Sequence, residues 1–528
     1  MRLNLGEIAL CLGCDSGQVI WQNDGQEHGE PESGGQSIVP LKKIAPGGLG
    51  KQQECEWSYA PWAGMVPTGG HFDSREIRQG NLFFCLPGSR TDGHDFAMAA
   101  ARSGAAAIIA LRNPFEEMST SMREEAGSLP PVFLVPDVRD ALWRVAACHR
   151  DTSIARVIGL TGTAGKTSVK EVLAQVLAMR GFTAKNPKNF NNQLGLPVSI
   201  LNASADASFW VMEAGISEAH DMDELGRILR PDIALILNVG EGHVAGLGER
   251  GVAANKALLL DYVQPGGLVV VSKDYPDLCR ELTLRQPDFE RRAVSVVGFS
   301  VMHPEVDVKA AYVGQAMNSQ AGIYEVFAQG RRQEFETPFR GEFGSENVAA
   351  IYAVANKLGL TNDEIASGFA SARLPEQRFF AYHVGAFWLV DDSYNANPLS
   401  MSRMIEAARV MADEAELPLV LVLGEMLELG DNAPVAHKEL GRIAAEANPM
   451  CVFWKGGHKE DVKKGLVQGN YRKEFYPVGG GQDFSLLLEE LELEQGLVLF
   501  KGSRGNQIER LVDIFRDAVT SAGEHHAI

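Results

Sequence analysis

The sequence predicts an α/β protein built from three domains, and two observations indicate this class. Short apolar runs, typical of buried strands, alternate with amphipathic helical segments through most of the 528 residues. A glycine-rich segment, GTAGKTS, joins one of these runs to a helical segment. A chain of this length is expected to form about three or four domains. The pattern divides it into blocks at 1–153, 154–373 and 374–528.

In the first block, a polar stretch at Asn23–Gln36, rich in Gly, Glu and Gln, predicts a loop. A helix is predicted from Asp140 to about Arg150. The strand-like runs of this block are Leu82–Leu86, Ala106–Leu111 and Val132–Val135.

The second and third blocks alternate strands and helices in the manner of parallel sheets. A more β-like stretch at 306–339 interrupts the second block. In the third block, Met401, Met404, Ile405, Ala408 and Met411 recur at helical spacing. The clearest strands are Arg156–Leu160, Phe209–Met212, Ile233–Val239, Phe387–Val390, Leu419–Leu423, Val452–Trp454 and Leu497–Phe500.

The composition excludes several classes of function. It is ordinary for a globular protein, with 45% hydrophobic and 22% charged residues. The net charge of −19 argues against a nucleic-acid partner, because phosphate backbones select basic surfaces. No apolar run approaches the ~20 residues of a membrane-spanning helix, and the N-terminal segment MRLNLGEIALCLG does not resemble a signal peptide. Seven scattered cysteines suit reduced thiols, so we expect a cytoplasmic protein without membrane insertion.

The glycine-rich segment differs informatively from the common phosphate loop, G-x-x-x-x-G-K-[ST]. Its first glycine is expected at the position of Leu160, but the chain has Gly162 instead. Gly162 and Gly165 still allow backbone N–H groups to converge on phosphate oxygens, Lys166 can reach the terminal phosphates, and Thr167 can offer a hydroxyl to Mg²⁺. The strand before and the helix after favour a nucleotide site over a structural glycine turn. The predicted nucleotide-binding residues are Gly162, Thr163, Ala164, Gly165, Lys166, Thr167 and Ser168.

Three polar residues follow in the second block, where strand ends gather ligands in open α/β sheets. Glu213 ends an apolar strand and could hold Mg²⁺, or simply be a solvated carboxylate. His243 follows the strand at 233–239, and its position alone favours a structural role over metal binding. Lys256 lies in a short apolar helix and by itself indicates a surface lysine. Next to metal ions its pKa would fall, and the neutral amine could take up CO₂ as a carbamate.

With its displaced glycine, the segment GTAGKTS resembles the phosphate loop of the Mur ligase family. The members of this family are the ATP-dependent amide ligases that build the peptidoglycan stem peptide. The resemblance extends across the chain. Its motifs are DSREIRQGNLFF (73–84), TDGHDF (91–96), NFNNQLGLP (189–197), GEFGSEN (341–347), DDSYNANP (391–398), LGEMLELG (423–430) with His437, and KGSRG (501–505).

The resemblance implies an N-terminal UDP-substrate-binding α/β domain, a central P-loop ATPase-like domain with a parallel sheet, and a C-terminal Rossmann-like domain. It implies two Mg²⁺ ions, with Thr167, Glu213, His243 and a carbamylated Lys256 as metal ligands and Lys166 as a further catalytic residue. Asn347, Arg378 and Asp392 would contact ATP, the last two when the third domain closes. The implied substrate-binding residues are Ser74, Arg75, Asn191, Asn192, Asn395 and Asn397.

The motifs of the third block resemble the branch of the family that joins D-alanyl-D-alanine to UDP-N-acetylmuramoyl-tripeptide through an acyl phosphate. These two small molecules are the expected partners, and we expect a monomer. The alternatives are another Mur-type ligase, acting on the UDP-dipeptide or resembling folylpolyglutamate synthetase, and a non-catalytic nucleotide-binding relative. The sequence leaves open whether the third residue of the peptide is diaminopimelate or lysine, and whether D-alanyl-D-lactate is accepted.

Overall fold

The computed structural model describes residues 1–14, 19–20, 62–116, 118–119, 129–240, 247, 251–316, 321–491 and 493–525. The polar stretch Asn23–Gln36 and His243 lie outside these residues, and the predictions for them stay predictions. Among the helices described, none is sufficiently long and apolar to cross a bilayer.

The N-terminal part of the chain forms a five-stranded sheet in the order β1-β5-β4-β3-β2. Four of these strands are parallel, and β1 pairs antiparallel with β5. Apolar side chains from one face of the sheet, such as Phe83 and Ile108, pack with Ala97 and Ala100. The elements are α1 (Leu5–Leu12), β1 (Val19–Ile20), β2 (Gly69–His71), β3 (Asn81–Phe84), α2 (Ala97–Arg102), β4 (Ala107–Ala110), β5 (Val132–Leu134) and α3 (Val138–Thr152).

In the middle of the chain, strands β6 and β9 to β14 lie in the order β14-β13-β12-β11-β10-β9-β6. They are parallel from β6 to β12, and the stretch at 306–339 adds the antiparallel β13 and β14. The strands are β6 (Arg156–Thr161), β7 (Thr183–Lys185), β8 (Phe209–Glu213), β9 (Ile233–Ile236), β10 (Leu268–Ser272), β11 (Ser295–Ser300), β12 (Val308–Gln315), β13 (Gly322–Ala328) and β14 (Arg331–Thr337). The helices are α4 (Lys166–Leu177), α5 (Gly195–Asn202), α6 (Asp221–Leu229), α7 (Gly251–Ala257), α8 (Pro276–Arg291), α9 (Gly344–Lys357) and α10 (Asn362–Ser371).

The C-terminal part forms a six-stranded sheet in the order β15-β16-β20-β17-β18-β19. Its strands are parallel except β15, which pairs antiparallel with β16. The elements are β15 (Phe380–Val384), β16 (Phe387–Asp392), α11 (Pro398–Glu414), β17 (Leu419–Gly424), α12 (Ala433–Glu446), β18 (Cys451–Lys455), α13 (Lys459–Gln468), β19 (Glu474–Pro477), α14 (Gly481–Leu491), β20 (Gly496–Lys501) and α15 (Glu509–His525).

Alternation along β17 shows how helices cover both faces of this C-terminal sheet. Leu421 packs in the cluster that contains residues of α11, α12 and α13, whereas Val420 and Val422 pack in the cluster that contains residues of α14 and α15. Successive side chains of a strand point to opposite faces, so a continuous apolar run is buried on both sides. This arrangement is the predicted Rossmann-like layering.

The described chain divides into two compact units. One contains Met1–Val157, Ala184–Met212 and Arg227–Arg230, and the other contains Ile158–Thr183, Glu213–Gly226 and Pro231–Ile528. The glycine-rich loop, Glu213, Lys256 and the whole C-terminal sheet belong to the second unit. The predicted α/β class is confirmed. The domain limits at 153 and 373 stay a prediction.

The predicted strands are present, with small differences at their ends. The strand expected at Ile233–Val239 ends at Ile236, because the chain then turns so that Asn238 contacts the glycine-rich loop. The helix that follows this loop begins at Lys166 and ends at Leu177, four residues before Gly181.

Candidate active site

The glycine-rich loop connects β6 to α4 and is held open by glycine. Gly165 has φ +79°, in the left-handed region that favours glycine. A Cβ atom there would lie 2.9 Å from Oδ1 of Asn347, in the first turn of α9. The N–H groups in the first turn of α4 have no acceptor within the helix, so they form an anion-binding position. Asn347 therefore lies beside the phosphate loop, and its role in binding ATP stays a prediction.

Asn238, which the sequence analysis did not select, fixes the first half of this loop. Its Oδ1 atom accepts hydrogen bonds from the backbone N–H groups of Thr163, at 3.0 Å, and Ala164, at 2.8 Å. The Thr163 hydroxyl also accepts from the backbone N–H of Gly240, at 3.1 Å. The side chain of Asn238 is fully buried. Two N–H groups predicted to face phosphate are thus used to set the shape of the loop.

Lys166 folds back over the loop that precedes it. Its Nζ atom donates to the backbone oxygens of Gly162, at 2.8 Å, and Thr163, at 3.3 Å. Burial lowers the pKa of Lys166, the charge of Glu213 opposes this effect, and Arg378 adds to it. An anionic ligand would restore the preference for the ammonium form, because an opposite charge nearby stabilises it.

A hydroxyl, a carboxylate and a guanidinium group meet at Thr167. The Thr167 Oγ1 atom donates to Oε2 of Glu213, at 2.9 Å, and accepts from Nη2 of Arg378, at 3.3 Å. Glu213 ends β8 and is buried, with 1% of its surface exposed. The backbone N–H of Ala214 donates to Leu160 at 2.8 Å, which places the end of β8 beside β6. The structure thus brings three predicted site residues together.

Lys256 is buried in α7, and 3% of its surface is exposed. It is not the surface lysine that its position in the sequence indicates when considered alone. Its pKa is lowered well below the ordinary value by burial and by the nearby positive charge of Lys166, and Glu213 opposes the change. These surroundings favour the neutral amine more than water does.

The described residues fit a nucleotide with a divalent cation. Oδ1 of Asn347 is buried, and none of the described residues donates a hydrogen bond to it. The Thr167 hydroxyl and the Glu213 carboxylate are the hard oxygen ligands that Mg²⁺ accepts, together with phosphate oxygens. The described residues contain no group of three or more His, Cys, Asp or Glu side chains arranged to hold a metal. His243, a predicted ligand, lies outside them.

Predicted residues of the C-terminal sheet lie close to each other at the ends of its strands. Asp392 accepts from the Lys501 ammonium, at 2.5 Å, and from the backbone N–H of Phe379, at 3.0 Å. Lys501 also donates to the backbone oxygen of Asn395, at 3.0 Å. Burial lowers the pKa of Lys501, while Asp392 opposes that change. The motifs DDSYNANP and KGSRG thus form one polar cluster.

Asn397 belongs to the motif DDSYNANP and contacts the phosphate loop. Its Oδ1 atom caps helix α11 by accepting from the backbone N–H of Ser400, at 2.8 Å. Its Nδ2 atom donates to the backbone oxygen of Thr163, at 3.2 Å. The Asn395 side chain accepts from the neighbouring Ala396 N–H, at 2.9 Å. Their roles in substrate binding stay predictions.

The remaining predicted substrate residues belong to the first unit, where the structure brings their segments together. Asp73 caps the short helical turn that carries Ser74, and its carboxylate pairs with Arg75 at 2.6 Å. The rings of His71 and Phe190 lie 6.0 Å apart, so NFNNQLGLP packs beside this turn. Asn192 Oδ1 accepts from the backbone N–H of Gly195 at the start of α5, at 2.8 Å. Asn191 precedes it and is half-buried.

Strand β6, its glycine-rich loop and helix α4 define a P-loop protein of the α/β class. Comparison with protein-family models gives a match to the Mur ligase middle domain at residues 160–355. A second match, to the Mur ligase family catalytic domain, covers residues 69–150. The chain belongs to the Mur ligase family.

Curated relatives and solved structures agree with this assignment. The chain is 28% identical to the UDP-N-acetylmuramoyl-tripeptide–D-alanyl-D-alanine ligase of Bacillus subtilis (strain 168), covering 83% of this chain and 91% of the relative. It is 31% identical to the ligase of the same name from Mycobacterium bovis, covering 71% and 74%. The structure of MurF ligase from Thermotoga maritima in complex with ADP superposes with a TM-score of 0.70, at 28% identity, covering 86% and 98%.

Proposed function

We propose that this protein is the ATP-dependent ligase that adds D-alanyl-D-alanine to UDP-N-acetylmuramoyl-tripeptide, giving ADP, phosphate and the UDP-pentapeptide. The relatives of the same name support this reaction, since they match over most of the chain. The observation that carries the proposal is the contact of Asn397 Nδ2 with the backbone oxygen of Thr163, at 3.2 Å. It joins YNANP, the motif that distinguishes this branch, to the phosphate loop.

In the proposed reaction, the terminal carboxylate of the tripeptide attacks the γ-phosphorus of ATP, and ADP leaves. The amine of D-alanyl-D-alanine then attacks the carbonyl carbon of the acyl phosphate and loses a proton, and inorganic phosphate leaves as the amide forms. The first step brings a carboxylate to a polyanion, so positive charge must neutralise the repulsion. Lys166 provides such a charge at the loop, and Arg378 provides a second one at Thr167.

Thr167 and Glu213 would hold one Mg²⁺, and His243, a carbamylated Lys256 and Glu213 would hold a second. When bound, Mg²⁺ supplies charge neutralisation at the phosphate oxygens. The burial and lowered pKa of Lys256 support the carbamate. Its neutral amine adds to CO₂ and releases a proton, and the product is anionic. The chain thereby converts a cation that would repel the metals into a ligand.

Residues outside the phosphate loop are assigned to the nucleotide and the two ends of the substrate. Asn347, Arg378 and Asp392 are proposed to contact ATP. Asn395 and Asn397 would lie beside the incoming amine. Contacts with the UDP group lie far from the reacting carboxylate of the same substrate. The binding energy of these contacts can therefore hold that carboxylate in position for the reaction.

Ser74, Arg75, Asn191 and Asn192 are proposed to bind the UDP-linked substrate. We retain the domain limits 1–153, 154–373 and 374–528, a cytoplasmic location and a monomeric state as parts of the proposal. Light scattering of the purified protein tests the monomeric state, and a stable dimer in solution would contradict it.

The test measures phosphate release from ATP with purified acceptor and amine substrates. We expect release only when UDP-N-acetylmuramoyl-tripeptide and D-alanyl-D-alanine are both present, with a product heavier by one dipeptide less water. The tripeptides that contain diaminopimelate and lysine are supplied in separate assays, since the sequence leaves open which of the two is the substrate. Free D-alanine and diaminopimelate are the control amines and should fail. Activity with the UDP-dipeptide and diaminopimelate would instead identify another branch of the family.

A further inference from the structure

A buried carboxylate lies between the phosphate loop and helix α11. Glu346 is in the first turn of α9 and has 3% of its surface exposed. Its Oε2 atom accepts from Nδ2 of Asn238, at 2.8 Å, and from Nη1 of Arg403, at 2.8 Å. Its Oε1 atom accepts from the hydroxyl of Tyr275, at 2.8 Å. Arg403 Nη2 donates to the same hydroxyl at 2.7 Å and closes the cluster.

Each member of this cluster has a defined role. Burial and the charge of Glu346 raise the pKa of Tyr275, so its hydroxyl remains a donor. The planar guanidinium of Arg403 uses two nitrogens, one for the carboxylate and one for the hydroxyl. A buried carboxylate that loses its cation is strongly unfavourable. Glu346 therefore depends on the position of α11, the helix that carries Arg403.

The cluster continues directly into the phosphate loop through Asn238. The Nδ2 atom of Asn238 donates to Glu346 at 2.8 Å and to the backbone oxygen of Ala164 at 3.1 Å, and its Oδ1 atom accepts from the N–H groups of Thr163 and Ala164. Rotation of the amide would turn its oxygen toward the carboxylate and its nitrogen toward the two N–H groups, which are unfavourable contacts. Glu346 and the backbone oxygen of Ala164 therefore together favour the orientation in which Asn238 holds the loop, and Glu346 is the partner that connects this orientation to α11.

We propose that Glu346 and Arg403 are positioning residues that couple the docking of α11 to the affinity of the phosphate loop for nucleotide. The inference rests on the nucleotide-binding part of the proposed function. Neither residue needs to touch ATP, because Glu346 acts through Asn238. When Arg403 is in place, the carboxylate is satisfied, Asn238 is oriented and the loop N–H groups are fixed. When α11 moves away, the same chain of contacts loosens the loop.

Such coupling is reciprocal by thermodynamic necessity. If docking of α11 strengthens nucleotide binding, then nucleotide binding must strengthen docking of α11 by the same factor. Helix α11 would thus respond to an occupied phosphate loop even though Arg403 lies on the far side of Glu346 from that loop. A merely structural ion pair would stabilise the fold without this dependence.

The experiment measures the dissociation constant of ADP by equilibrium titration for wild type, Arg403→Met, Glu346→Gln and the double variant. We expect each single variant to bind ADP at least fivefold more weakly, at the lower end of typical coupling between sites. The double variant should be no weaker than the worse single variant, because the two residues act through one contact. A lowered unfolding temperature with unchanged ADP affinity would overturn the proposal.

Arg409→Ala is the matched control. Arg409 lies on the same helix and also forms an ion pair, in its case with the surface carboxylates of Glu406 and Asp413, both at 2.7 Å. Arg409→Ala should leave ADP affinity unchanged. If it weakens ADP binding as much as Arg403→Met does, any change in α11 has this effect, and the specific role of Arg403 is overturned.

If Arg403→Met does not fold, Tyr275→Phe is measured in its place. It removes one hydroxyl and should weaken ADP binding at least twofold, and an unchanged affinity would overturn the proposal.

Hydrogen exchange supplies the reciprocal measurement. ADP should slow amide exchange in α11 of the wild-type protein, and this protection should be lost in Arg403→Met at saturating ADP. Protection that persists in the variant would contradict the coupling. Failure of the wild-type protein to bind ADP would overturn the nucleotide site itself. Failure of ligation with ADP binding intact would leave the coupling standing and overturn only the proposed reaction.

Discussion

The guanidinium carbon of Arg378 lies 3.9 Å from the ring centroid of Tyr394, and Arg504 lies over the same ring at 5.2 Å. From this position, Nη2 of Arg378 donates to Oγ1 of Thr167 at 3.3 Å. Tyr394 is the first residue of YNANP. The ring thus holds Arg378 toward the phosphate loop, which gives the aromatic residue of this motif a physical role.

We predict that Tyr394→Ala lowers kcat/KM for ATP by roughly 2- to 30-fold, because a cation–π contact contributes about 0.5–2 kcal/mol. Tyr394→Phe keeps the ring face and is the matched control. We expect it to remain near wild type, since none of the described residues hydrogen-bonds to the Tyr394 hydroxyl. Steady-state kinetics with ATP varied measures both variants. A large loss in Tyr394→Phe would show that the hydroxyl, and not the ring face, is needed.

Lys166→Ala should nearly abolish ligation while the fold persists. The ammonium group lies on the phosphate loop, where it donates a hydrogen bond to the backbone oxygen of Gly162 at 2.8 Å. Its positive charge is placed to contact the phosphates of ATP. Losing one such contact in a preorganised site typically costs about 10²–10³ in turnover. Phosphate release at saturating ATP measures the loss, and thermal unfolding confirms the fold. Turnover close to wild type would show that the nucleotide assignment is wrong.

Lys256→Ala should be inactive and partly recover with added formate or acetate, which can replace the carbamate oxygens. Lys256→Arg is the control, because an arginine is a positively charged side chain of similar length that cannot form the carbamate. Carbon-13 NMR of the wild-type protein in labelled bicarbonate should show a carbamate signal that both variants lack, which is a measurement independent of turnover. An active Lys256→Ala enzyme in CO₂-depleted buffer would contradict the role.

The sequence predicts best what a local pattern encodes. The loop at Gly162–Ser168, the strands around it and the alternating layers of the C-terminal sheet follow from glycine positions and hydrophobic periodicity. Burial of Glu213 agrees with its position at a strand end. Lys256 is buried as well, although its local sequence alone indicates a surface lysine.

Residues that act through tertiary contacts have no local pattern in the sequence that would reveal their role. Asn238 lies within the predicted strand Ile233–Val239, where nothing in the sequence marks it, yet its amide fixes two N–H groups of the phosphate loop. Glu346 and Arg403 are 57 positions apart and meet only because the fold brings the first turn of α9 close to α11. Asn397 is predicted only as a substrate-binding residue; its role as the cap of α11 and its contact with Thr163 are visible only in the fold. Pairings of this kind require the three-dimensional structure.

Stability of the N-terminal unit should depend on pH through His149. This histidine is fully buried in α3, and its Nε2 atom lies 3.0 Å from the backbone oxygen of Ala203, so the neutral ring is the donor. Burial lowers its pKa to about 4 from 6.5. Between these values the unfolded chain binds a proton that the folded chain rejects. The contribution of His149 is therefore complete above pH 6.5 and is lost as pH falls toward 4.

A pKa difference of this size corresponds to about 3 kcal/mol of unfolding free energy. We expect the urea midpoint of this unit to fall between pH 6.5 and 4, and His149→Gln to remove most of that fall while lowering the midpoint at pH 7. The glutamine can still donate to the Ala203 oxygen but does not titrate. The exposed His303 supplies the control, since His303→Gln should leave the pH dependence unchanged. An unaltered pH dependence in His149→Gln would mean that other groups cause the acid sensitivity.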